Sequence, residues 1–134
     1  MADEPYTDRF NASLVLADKL VQRGDRADAI TVMVPWSDAP LTPFRRAVLG
    51  YNLAQVFSQM GQAIEALAWF DWGIDAEREI RKTFVAESKA AYLFEQGRRD
   101  DAIALWTELL ASGWLEEKSR TAVESNLRVA QARA

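Results

Sequence analysis

The sequence predicts an all-α domain, on three observations. Alanine, the strongest helix former, supplies 22 of the 134 residues, while glycine (6) and proline (4) are sparse. Apolar residues recur at helical spacing, as in Phe10, Leu14, Ala17, Leu20 and Val21. No alternating apolar-polar run flanks an Asn-Gly or Asp-Gly turn, so nothing signals a β-hairpin. The length fits a single domain, 1–134, large enough to bury a real core without covalent staples.

The elements follow in order. The first helix is expected to start after Thr7, a good N-cap with Asp8 in the first turn, and to end at Gly24. Asp25 can cap a short second helix, which Pro35 stops near Val34. Residues 37–41 read as a loop. Thr42-Pro43 restarts the chain: a cap, then proline at the first helical position. That helix runs to about Met60, where Gly61 breaks it. The next begins near Gln62 and includes Ala66, Leu67, Phe70 and Ile74. No strong breaker stands between Ile74 and Thr83, so this helix either runs long or joins its successor, which ends at Gly97. A further helix covers about 99–112, with Gly113 as its stop. The last covers about 119–133, or starts two residues later if Thr121 and Glu124 form a capping box.

Composition excludes several kinds of chemistry. The chain has no cysteine and no histidine, so disulfides, thiolate or imidazole metal sites and Ser-His triads are absent. A net charge of −4 disfavours nucleic acid, and the doublets Arg45-Arg46 and Arg98-Arg99 are too few for a basic footprint. No apolar run is long enough to span a membrane, and the acidic, polar start is unlike a secretory signal, so the cytoplasm is the expected compartment. No phosphate-binding glycine loop or nucleophile elbow occurs, and no cofactor is implied. The carboxylate pairs Asp71/Asp75 and Asp75/Glu79 are one helical turn apart and could hold a divalent ion. They read better as a solvated face beside Arg78, Arg81 and Lys82, with Glu77 at ion-pair spacing from Arg81.

An internal repeat organises the chain. Gly24, Gly61 and Gly97 lie 37 and 36 residues apart. Seven residues before each is an alanine (Ala17, Ala54, Ala90), and four before each a large apolar residue (Leu20, Phe57, Leu93). Five residues after each comes another alanine (Ala29, Ala66, Ala102), then four further on a bulky residue (Met33, Phe70, Trp106). Small side chains let paired helices approach and large ones fill the gaps beside them. Such pairs need to stack to bury both faces.

These residues resemble the tetratricopeptide repeat (TPR) family over about 10–114. In the second unit the signature reads Leu53-Ala54, Phe57, Gly61, Ala66, Phe70, Gly73. In the third it reads Ala90, Leu93, Gly97, Ala102, Trp106, with Leu109 in the family's last small slot; in the first, Trp36 takes that slot. Ser13, Gly50 and Ala86 stand where the family places a tryptophan, and Arg78 and Trp114 stand in two of its proline positions. The resemblance implies antiparallel helix pairs stacked as a short right-handed superhelix. The repeats would be 7–41, 42–80 and 81–114, with 119–133 as a capping helix.

In that family the first helix of each pair lines a concave groove. Here the implied ligand contacts are Tyr51, Asn52, Gln55, Phe84, Glu87 and Phe94. The groove mixes aromatic spots, amides and acids, without a lysine or arginine, which suits a neutral or basic ligand. Of the clamp with which chaperone-binding relatives hold an acidic carboxyl terminus, only Asn52 survives, with Leu14, Asp18, Phe84 and Ser88 in the other slots. Trp72 maps to a slot that is usually polar and outward; it either packs on the segment after it or serves as an exposed anchor for association. The expected function is a non-catalytic scaffold that binds a peptide or protein segment. The alternatives are a small acidic secretion or assembly chaperone of the three-TPR type and a homo-oligomerising module.

Overall fold

The computed structural model describes residues 4–133, with side chains from residue 7 onward. It is all-α. The elements are α1 (Glu4–Gln22), α2 (Arg26–Met33), a 3-10 segment (Val34–Asp38), α3 (Pro43–Gln59), α4 (Ala63–Arg78), α5 (Phe84–Glu95), α6 (Arg99–Ser112) and α7 (Glu117–Ala132). Helix α1 packs on α2, α3 on α4 and α5 on α6. α2 meets α3, α4 meets α5, and α7 closes over α6. α3 also touches α5 directly.

The turns between paired helices share one construction. Gly24, Gly61 and Gly97 have φ of 84°, 73° and 78°, a region that side-chain-bearing residues rarely adopt. The residue after each glycine donates its N–H back to a carbonyl of the preceding helix. Asp25 reaches Leu20 at 2.8 Å, Gln62 reaches Phe57 at 3.0 Å and Arg98 reaches Leu93 at 2.9 Å. The acceptors are the three large residues of the repeat, so the sequence register is also a hydrogen-bond register. These bonds satisfy carbonyls that a helix end leaves open.

The repeat register also organises the core. Ala17, Ala54 and Ala90 are buried, as are Ala29, Ala66 and Ala102. Met33, Phe70 and Trp106 are almost wholly inside. Two apolar clusters result: one around α1, α2 and the near side of α3, the other spanning α3 to α7. Ala66→Leu and Ala102→Leu should each cost roughly 1–3 kcal/mol by overpacking a filled site. Ala68 is exposed, so Ala68→Leu should cost much less. Chemical denaturation of the three variants checks this, and equal losses would contradict the register.

Several boundaries differ from expectation. Helix α1 begins at Glu4, so Thr7 lies inside it rather than capping it. Asp25 makes no side-chain cap; its carboxylate pairs with Arg23 instead. The segment after Val34 is not all loop, because Pro35 fits the first turn of a 3-10 helix, where its missing N–H costs nothing. Helix α4 stops at Arg78 and neither runs on nor joins α5. Helix α7 starts at Glu117, not at 119 or later. Thr121 sits inside it and donates to the Glu117 carbonyl, so the capping box does not form.

Candidate functional site

Thr42 caps α3 as its sequence suggests, accepting from the Arg45 N–H, with Pro43 in the first turn. From that start, Phe44, Tyr51 and Gln55 recur at seven- and four-residue intervals and share one side of α3. Asn52 borders this face and spends one amide donor on the Val48 carbonyl at 2.8 Å.

The start of α5 is set from outside the helix. Thr83, its N-cap, gives no side-chain cap, and its hydroxyl donates to Glu87 at 2.9 Å. Two of the N–H groups that the helix start leaves open, those of Val85 and Ala86, donate to the two carboxylate oxygens of Glu77 at 2.8 and 2.9 Å. Glu77 is 1% exposed, the one buried acid among the described residues. Burial pushes its pKa from the ordinary 4.5 up to about 7. The two backbone N–H bonds oppose that rise, the Glu87 carboxylate adds to it and the Arg78 guanidinium lowers it. Glu77 therefore does not lie on a solvated face paired with Arg81. Arg81 is beyond the end of α4, exposed and with φ of 54°.

With α5 held there, the Phe84 ring stands 6.1 Å from Tyr51 and 6.1 Å from Phe44. Centroid separations in this range are those of interacting aromatic pairs. The three rings form a row across α3 and α5, and Phe44 is 52% exposed at its end. Phe44, Phe84 and Glu87 also line a cleft of about 290 Å³, with Trp114 and the Arg81-Lys82 loop among its other walls.

Of the six residues expected to contact ligand, the structure brings Tyr51 and Phe84 into ring contact and puts Glu87 on the next turn of α5. Asn52 and Gln55 lie along the same stretch of α3, half-buried. Phe94 is apart, at the far end of α5. Its ring packs on Trp106 and is covered by the guanidinium of Arg133, the residue after α7, 5.5 Å from the ring centre. Trp72 is half-buried, edge-to-face with Trp69 at 5.3 Å and packed on the first cluster. Phe44 was missed in the sequence, although its seven-residue spacing from Tyr51 and its place after Pro43 could have marked it.

Two of the carboxylates considered for a divalent ion, Asp71 in α4 and Glu79 just past its end, are held by separate bases. Asp71 pairs with Lys89 at 2.6 Å and Glu79 with Arg46 at 2.7 Å. Among the described residues no group of three acids could hold a metal ion. A second depression, about 380 Å³, lies between α4, α5 and α6, and each of its charged residues is in an ion pair. No described helix is long and apolar enough to cross a membrane. Compared with protein-family models the chain matches none, and no curated protein matches it either.

Proposed function

We propose that the chain is a non-catalytic scaffold of the TPR type that holds a peptide or protein segment against α3 and α5. The observation that carries this is the aromatic row of Phe44, Phe84 and Tyr51, open to solvent at one end and contributed by two first helices. Rigid rings offer contact area at small entropic cost, which makes them effective anchors. Asn52 and Gln55 beside them present amides, which both donate and accept, for an extended backbone. The repeated alanine register and the shared glycine turns support a TPR-like stack, in which α1, α3 and α5 would line the concave side.

The test is an overlay on an immobilised library of short peptides. Peptides captured by the wild type should bind at least about tenfold more weakly to Phe44→Ala and to Asn52→Ala with Phe84→Ala, since hot-spot losses are of this order. Phe44 is exposed, so Phe44→Ala should keep the wild-type melting point and helicity. Capture that survives both variants and disappears on changing Trp72 would overturn the assignment.

A further inference from the structure

The end of α4 repeats the turn that closes α1, α3 and α5, with one exception in its sequence. Lys82 donates its N–H to the carbonyl of Glu77, five residues back, at 3.0 Å. Asp25, Gln62 and Arg98 make the same five-back bond, and each of them follows a glycine. At the end of α4 the residue in the glycine position is Arg81, with φ of 54°, the one non-glycine residue of positive φ among the described residues. A side chain in this region crowds its own backbone, and glycine would hold the same turn without that strain. Strain of this kind clusters at ligand sites.

Such a site lies beside the turn. Arg81 and Lys82 are exposed and line the cleft of about 290 Å³ whose aromatic walls are Phe44, Phe84 and Trp114. Among the described residues neither side chain is paired with an acid. The groove residues expected from the sequence include no cation, so this turn supplies the two that the cleft has. Two acids line it as well. Glu87 accepts the Thr83 hydroxyl at 2.9 Å, and Glu116 comes from the α6–α7 connection. They disfavour a run of acids in the ligand. The complementary charge is therefore a single carboxylate on the Arg81-Lys82 side, next to a large apolar side chain on the rings.

We propose, on the scaffold reading above, that the guanidinium of Arg81, carried at a position built for glycine, holds a carboxylate of the bound segment: an aspartate or glutamate side chain beside the apolar residue that packs on Phe44 and Phe84. A planar guanidinium pairs with a carboxylate through two parallel N–H bonds, and Lys82 adds a second positive charge without that geometry.

The probe is a set of immobilised peptides with a central phenylalanine, in pairs that differ only by aspartate or asparagine at a neighbouring position. The wild type should bind the aspartate member about fivefold more tightly, a preference that shrinks as salt is raised. Arg81→Gln keeps the strain and removes the charge, so it should lose most of the preference at an unchanged melting point. Arg81→Gly removes both: the preference should fall below about twofold while the melting point rises by about 2–4 °C. Arg81→Lys should keep the wild-type melting point and much of the preference. A purely structural Arg81 would move the melting point alone. Equal binding of the paired peptides by the wild type, an undiminished preference in Arg81→Gln, or a melting point that does not rise in Arg81→Gly would each overturn the proposal. Phe44→Ala separates the two readings, because it should weaken both members of each pair and leave their ratio unchanged. Binding that survives Phe44→Ala overturns the scaffold reading; binding that is lost there but is blind to Arg81→Gln overturns this inference alone.

Discussion

The protein should lose stability as pH rises from about 4.5 to about 7, and Glu77→Gln should remove most of that loss. Glu77 holds its proton to about pH 7 in the folded chain and releases it near 4.5 when unfolded. Between those values the native state binds one proton more than the unfolded state. The stability this supplies is complete below 4.5 and gone once pH passes about 7. A shift of this size corresponds to about 3 kcal/mol. Glutamine does not titrate, so the difference in stability between pH 4.5 and 7.5 should shrink by about that amount, and the level at one pH is the less informative readout. At pH 7.5 Glu77→Ala should cost about 2–5 kcal/mol, because it strands the N–H groups of Val85 and Ala86 inside the protein, and the cost should grow toward pH 4.5 as the wild type gains its proton-linked stability. Urea unfolding across this range measures both effects. An unchanged slope in Glu77→Gln would show that the pH dependence arises elsewhere.

Gly50→Ala should destabilise the protein by about 3 kcal/mol, while Gly73→Ala should cost less than about 1 kcal/mol. Both glycines are buried at the crossing of α3 and α4. A methyl on Gly50 would come within 2.8 Å of the Gly73 Cα and 2.9 Å of the Trp69 carbonyl oxygen. Those are backbone atoms of a helix and do not rotate aside, so the helices themselves must separate. A methyl on Gly73 would meet the Val85 side chain at 3.2 Å and the Ala47 carbonyl at 3.3 Å. A shift of a few tenths of an ångström relieves those contacts, and the gain in helix propensity offsets part of the cost. Thermal and chemical unfolding of the two variants checks the contrast. Equal losses, or a neutral Gly50→Ala, would mean that the α3–α4 crossing is looser than its geometry indicates.

The crossing shows how far the residues alone were informative. Gly73 falls in the small slot of the repeat signature and was legible there. Gly50 occupies a position where the resemblance implies tryptophan, and its role appears only when the two backbones meet. In the same way Phe84 and Tyr51 were both placed on first helices by their register. That their rings touch, that Phe44 extends the row and that Phe94 is instead covered by Arg133 depended on how α5 and α7 sit.

The helices, the glycine turns and the buried alanines were determined by the sequence itself, because they rest on interactions between residues a few positions apart. Propensity, capping at Thr42 and the left-handed conformation at Gly24, Gly61 and Gly97 act locally, and the small-large register repeats that local chemistry three times. Glu77 is the opposite case. Its four-residue spacing to Arg81 pointed to a surface ion pair on a continuing helix. Helix α4 ends at Arg78, the chain turns back, and the carboxylate faces the start of α5, eight and nine residues onward. No local rule marks an acid that caps a neighbouring helix, since burial and partner both come from the packing of two elements.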